Sequence, residues 1–238
     1  MRSRSPRFLA MLLATTVVTG ASVLLPAAAS AAGGTLIVDR TDDEPTATAC
    51  VAATPDDCSL RGALINSNAD ANAQVEDVQV PAGTYTLTQV GSGEAAGSLN
   101  IFYSANITGA GSGTTIIDGN GLDNILEIAN TVGPASDRVA TLSGLTLRNG
   151  DSCSEPSDSG GNQAGGALLV AAQVTATDLV LEDNNSCSAG GAVSVLSPLA
   201  TLSLDNSVVH NNAAVTDGGG IMTQSTTTLH VTDSTISG

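Results

Sequence analysis

The side chains here that could do chemistry are carboxylates, arginines, two histidines and four cysteines, since the chain contains no lysine. Glycoside cleavage needs an acid and a base or nucleophile side by side, and no set of residues here amounts to a catalytic site. His210 and His230 fall at different positions of the repeat described below, so they share neither a metal nor a catalytic task. Two acidic glycine turns, Asp118 to Gly121 and Asp217 to Gly220, have the carboxylate and carbonyl oxygens that Ca²⁺ takes. Neither follows the nonapeptide spacing of calcium β-rolls, and turn formation already accounts for both. Asp118 and Asp217 stand as the metal candidates, and no other cofactor is expected. The sequons at Asn106 and Asn184 carry no weight in a chain so rich in Asn and Ser.

The charge excludes one class of partner. Arg2, Arg4 and Arg7 precede an apolar run from Phe8 to Leu25 and a small-residue stretch from Ala27 to Ala32, the pattern of a cleaved signal peptide over residues 1–32. Beyond it, Arg40, Arg61, Arg138 and Arg148 face all 23 carboxylates, a balance of −19. Such a surface repels phosphate backbones, so nucleic acid is not an expected partner. No transmembrane span is expected after the signal.

The elements that must position these residues are short strands in register. After the signal there are one Phe (Phe102), two Tyr and no Trp, so the core has to be built from Val, Ile, Leu and Ala. Four segments align, starting at Thr141, Thr175, Ser203 and His230, with spacings of 34, 28 and 27 residues. One apolar position holds Leu147, Leu181, Val209 and Ile236; another holds Leu142, Ala176, Leu204 and Val231. Glycine pairs recur between them at Gly165, Gly190 and Gly219, each opening a short apolar strand. A strand, a second strand and a glycine corner per repeat make one turn of a solenoid. The expected fold is all-β, a right-handed parallel β-helix over residues 98–238 behind an N-terminal capping segment with first strands over 33–97. Asp178, Asn206 and Asp233 are equivalent and are expected to form a polar corner ladder. Arg148, Glu182 and His210 are expected to share an outward-facing column.

The N-terminal segment has another design. Thr35 to Asp39 reads as an edge strand, and Asp57 or Ser59 is placed to cap a short helix from Leu60 to about Ser67, with Leu60 and Leu64 on one face. Laid across an open solenoid end, such a helix would shield the first coil. Four cysteines allow three disulfide connectivities or four free thiols. Cys153 and Cys187 each follow their strand segment by four residues, so the register stacks them in neighbouring coils and leaves Cys50 to pair with Cys58.

Thr41-Asp42-Asp43, Cys50 and the run Cys58 to Ala63 resemble the CSLREA domain of bacterial secreted proteins. That domain typically leads into β-helix repeats like those of pectin lyase-like and polymorphic outer-membrane proteins. Gly62 stands where the motif has Glu. The resemblance implies an extracellular or cell-surface protein and no particular activity. The expected role is structural or adhesive, presenting loops to a ligand, a carbohydrate or another surface protein, without catalysis. The alternative is a carbohydrate-active β-helix, lyase or glycosidase, or a carbohydrate-binding module. The last segment stops at Gly238, where earlier coils run on to a glycine pair. The chain is therefore expected to be a fragment whose open C-terminal coil associates end to end.

Overall fold

The computed structural model describes residues 33–51, 54–69, 75–128, 138–154 and 163–238. The signal peptide expected over residues 1–32 lies outside them, as does most of the insertion after Cys153. The described chain is almost entirely short parallel strands in a solenoid-like stack, with a single helix. Five turns and part of a sixth can be followed. The first holds β2 (Glu76–Val80), β3 (Gly83–Thr86) and β4 (Leu99–Ile101); the second, β5 (Ala105–Gly109), β6 (Thr115–Asp118) and β7 (Leu126–Ile128). The third has β8 (Val139–Arg148) and β9 (Leu168–Val170); the fourth, β10 (Gln173–Glu182), β11 (Asn185–Ser186) and β12 (Val193–Val195). Next come β13 (Thr201–Asp205), β14 (Val208–His210), β15 (Ala213–Ala214) and β16 (Ile221–Thr223), and finally β17 (Thr228–Thr232) with β18 (Thr235–Ser237). Ahead of them all, β1 (Thr35–Ile37) pairs with β2, and α1 (Leu60–Ala69) packs on β2 and β4.

The repeat alignment is the pairing register. Leu142 stands opposite Ala176, Ala176 opposite Leu204 and Leu204 opposite Val231. Leu147, Leu181, Val209 and Ile236 form the second column, extended backwards by Ile117 and Tyr85. A third column on another sheet runs Leu99, Leu126, Leu168, Val193, Ile221. Because strand neighbours lie about 4.8 Å apart, each column is a continuous apolar stack, and its inner rungs from Ile107 to Leu204 are almost wholly shielded from water. Tyr85, at the top of its column, is buried too; its hydroxyl donates to the Pro81 carbonyl at 2.9 Å, and burial pushes its pKa up.

The coil turns where the backbone becomes left-handed. Gly144, Asp178, Asn206 and Asp233 have φ of 64, 54, 45 and 47°, and Asn149, Asp183 and Asn211 have φ of 55 to 56° at the next corner. Asn, Asp and Gly are the residues that tolerate this region, which is why the corner positions of the repeat are drawn from them. The expected polar corner therefore exists as a column of backbone conformation, but its inter-coil side-chain bonds run one residue later. Ser207 Oγ accepts from the Leu179 N–H, and Ser234 Oγ accepts from the Ser207 N–H, both at 3.0 Å. Asp178 instead accepts from Ser112 Oγ at 2.8 Å.

Two disulfides join Cys50 to Cys58 and Cys153 to Cys187, with Cα separations of 4.4 and 4.9 Å. The second separation is about one rung, so this bridge clamps the third turn to the fourth.

An inward rung should be costly to empty. Leu181→Ala is expected to lower the unfolding free energy by about 3 kcal/mol, measured by chemical denaturation. Thr175→Ala, one strand position from the same core but outward and exposed, should change it by less than about 0.5 kcal/mol.

Candidate functional site: a buried ion pair and the recess beside it

The N-terminal segment is organised around one ion pair. Ser59 caps α1: its Oγ accepts from the Gly62 N–H at 2.8 Å, so Ser59 and not Asp57 is the capping residue. Asp57 accepts from the Val51 N–H instead. The capped turn carries Arg61 inward, and the first turn is buried at Leu60, Arg61, Gly62, Ala63 and Leu64, a wider burial than one amphipathic face. A Cβ at Gly62 would stand 1.9 Å from the Ala47 carbonyl oxygen. The loop before the helix has closed onto this position, and only glycine allows it.

Arg61 and Asp43 are 1 % and 7 % exposed. Arg61 Nε donates to Asp43 Oδ1 at 2.6 Å and Nη2 donates to Oδ2 at 3.1 Å. The remaining guanidinium protons go to the carbonyls of Gly97 at 2.8 Å, Ser98 at 3.1 Å and Glu94 at 3.4 Å. Asp43 Oδ2 also accepts from the N–H groups of Thr88 and Gln89 at 2.7 and 3.0 Å. Both charges are thus paired and hydrogen-bonded, the condition under which a buried ion pair survives its desolvation. The pair ties the Thr41–Asp43 segment, the helix and the loop over residues 88–98 into one body.

That loop lines a cavity of about 280 Å³ with Ser92, Gly93, Ser98, Asn100, Phe102, Asp123 and Glu127. Asn100 and Glu127 are paired rungs of β4 and β7. Asp123 Oδ2 accepts from the Ser98 N–H at 2.9 Å, and Asn100 Nδ2 donates to the Ser98 carbonyl at 3.3 Å. From the end of α1, Asn68 donates to the Asn100 carbonyl at 2.9 Å and accepts from the Phe102 N–H at 3.0 Å. The recess offers two carboxylates, an amide, hydroxyls and one aromatic ring. Such a lining can receive hydrogen-bond donors of a neutral or cationic ligand and disfavours an anion. A second, more open hollow of about 520 Å³ lies among Asp39, Arg40, Thr41, Asp42 and Asp56. Two of its carboxylates are engaged, as Asp123 is in the first recess: Asp39 accepts from the Cys58 N–H at 2.9 Å, and the Arg40 guanidinium at 2.5 Å holds Asp42 below the usual carboxylate range.

The structure disperses the other residues singled out by the sequence. Asp118 faces Arg148 in the outward column that continues through Glu182 and His210. Arg148 donates to Asp118 at 2.9 Å, and His210 Nε2 lies 3.1 Å from Glu182. Burial alone would raise the Asp118 pKa, but donors from Asn149, Asn120 and Arg148 outweigh it and hold the carboxyl low. Asp217 is exposed, and its backbone carbonyl accepts from the Gly190 N–H at 2.9 Å. His230 stands opposite Ser203, away from His210. Among the described residues, no three of His, Cys, Asp and Glu gather where a metal ion could be held.

Sequence reasoning missed two arrangements. Arg61 and Asp43 lie 18 residues apart with no periodicity to link them, and only their shared place in the motif of the resemblance marked them. Asn184 and Asn212 form a buried amide ladder: Asn212 Oδ1 accepts from the Asn184 N–H at 2.9 Å and from Asn184 Nδ2 at 3.0 Å. Their signal was present, an Asn directly after each left-handed corner residue, 28 positions apart. No family model, curated protein or solved structure matches this chain.

Arg61→Met should destabilise the fold by about 3–5 kcal/mol, because it leaves the Asp43 carboxylate buried without its cation; thermal or denaturant unfolding measures it. The lowered Asp118 pKa adds stability that is present above the ordinary aspartate value and is lost as pH falls through the lower folded value. Solvent screening keeps this term below about 1 kcal/mol. The stability difference between the unsubstituted chain and Asp118→Asn should accordingly shrink in that acid range.

Proposed function

We propose that this chain is an exported, cell-surface right-handed parallel β-helix with a CSLREA-like cap, and that it serves as a structural stalk presenting loops for contact with a ligand or another surface. The observation that carries this reading is the covalent anchoring of the root of one long insertion in the repeat. Nineteen residues (149–167) separate β8 from β9, whereas ten (183–192 and 211–220) make the corresponding connection in the next two turns. The Cys153–Cys187 bridge pins the root of that insertion to the neighbouring coil. A long loop anchored covalently on a repetitive scaffold is an economical way to hold a contact surface away from the core. Other features agree with it. Disulfides persist in oxidising compartments, and no helix among the described residues is long and apolar enough to cross a membrane. Right-handedness follows the general preference of parallel strand crossovers. The strongly acidic balance disfavours nucleic acid as partner.

The recess supports a second reading, carbohydrate binding or cleavage. Phe102 offers a stacking face, and Asp123, Glu127 and Asn100 offer acceptors for sugar hydroxyls.

One screen separates the two. The purified chain is presented with a panel of neutral and acidic polysaccharides, and both binding and the release of reducing or unsaturated ends are measured. The stalk reading expects no turnover. Sustained turnover abolished by Glu127→Gln would overturn it. Saccharide binding without turnover, weakened several-fold by Phe102→Ala, would establish the recess as a binding module.

A further inference from the structure

The corners of this solenoid create a chemical hazard. Two of them contain Asn followed by Gly, at Asn120-Gly121 and Asn149-Gly150, and both asparagines are exposed with φ of 56°. In a flexible chain such a step modifies itself. The glycine N attacks the asparagine Cγ, a C–N bond closes a five-membered imide, and ammonia leaves. Water then opens the imide at either carbonyl, giving aspartate or isoaspartate. Glycine accelerates the reaction because it has no Cβ to hinder the attack.

Gly150 cannot be exchanged for a bulkier residue, and the left-handed backbone at Gly121 disfavours most side chains. A Cβ at Gly150 would stand 1.9 Å from the Gly166 carbonyl oxygen of the same turn, and Gly121 has a φ of 65°. What the fold controls is the nucleophile. The Gly150 N–H donates to the buried Asn184 Oδ1 of the next turn at 2.9 Å, and the Gly121 N–H donates to the Asn149 carbonyl at 2.8 Å. The would-be leaving group of Asn149 is also held, by donation to Asp118 Oδ1 at 3.1 Å. Asn184 itself is fixed by Asn212 and by donation to the Leu147 carbonyl at 3.1 Å. An amide that is donating a hydrogen bond in a fixed geometry is neither deprotonated nor free to swing onto the neighbouring side chain.

We propose that Asn149 is a latent site of spontaneous deamidation and that the amide ladder, through Asn184 Oδ1 on Gly150 N–H, keeps it closed. Asn120 is guarded separately, through the Asn149 carbonyl. Opening at Asn149 has a structural consequence, since isoaspartate inserts a methylene into the backbone at the corner where the register of β8 with its neighbours ends.

The test incubates the full chain, disulfides intact, in mildly alkaline buffer at body temperature. Aspartate and isoaspartate at positions 149 and 120 are quantified by peptide mapping. Both sites should modify at least about tenfold more slowly in the folded chain than in denaturant. Asn184→Ala should raise modification at 149 about tenfold, the scale of one lost hydrogen bond, and leave 120 unchanged. Asn184→Asp, which retains an acceptor oxygen but loses the Nδ2 donors to Leu147 and Asn212, should raise modification at 149 less than Asn184→Ala does and leave 120 unchanged. Equal rates in folded and denatured chains would overturn the proposal. So would an unchanged rate at 149 in Asn184→Ala, or equal rises at 149 and 120 in both variants. Hydrogen exchange in the unsubstituted chain checks the same point without a variant: slow exchange at Gly150 and Gly121 is expected, and fast exchange at either contradicts it.

Discussion

Everything in this molecule depends on each coil returning to the same place one rung further along. Parallel strands bond to their neighbours and not to themselves, so a single turn has no stability alone. Its backbone groups are satisfied only by the coils on either side. The requirement fixes the corners first, because a coil that turns by a different amount misses its register. Left-handed residues recur at the same two positions in successive turns for that reason. The choice of Asn, Asp or Gly there is conformational before it is chemical. The inward columns of Leu, Ile and Val follow as a consequence: once the corners agree, the alternation of the pleat sends equivalent side chains to the same side.

The N-terminal segment obeys a different rule. It cannot borrow stability from a repeat, so it concentrates its polar chemistry in one place, the Arg61–Asp43 pair with its ring of backbone carbonyls and amides. A charge pair so enclosed specifies geometry more than it adds stability. It tells the helix, the leading strand segment and the loop over residues 88–98 where to meet, and the recess beside Phe102 is the outcome of that meeting.

The repeated half of the molecule was legible in the sequence because its constraint acts at fixed spacing. The columns of Leu147 and Leu142, the stacking of Cys153 on Cys187 and the Arg148–Glu182–His210 column could all be read from one alignment. The corner ladder was read one residue early: Asp178 and Asn206 mark the bend, while the hydroxyls of Ser207 and Ser234 carry the bonds between successive coils. The N-terminal network was illegible because its partners are joined by the path of the chain and not by a period. The same is true of Gly62, whose lack of a side chain reads as a weakness of the helix until the Ala47 carbonyl is found pressed against it. The recess was hidden for a similar cause: Phe102, Asp123 and Glu127 come from two turns that β4 and β7 pair, and the loop that Arg61 holds completes the lining.

The bridge between the third and fourth turns also alters how the molecule would carry a load. In the stalk role proposed above the chain would be pulled along its length, and an unbraced solenoid yields by peeling off one coil after another. Tension reaching Cys153 passes through sulfur to Cys187 and bypasses the chain between them, a sequence separation of 34. About 110 Å of extensible chain, at roughly 3.3 Å per residue, is thereby removed from the path of the force. The coil inside that loop would feel no pull even after its neighbours had come away.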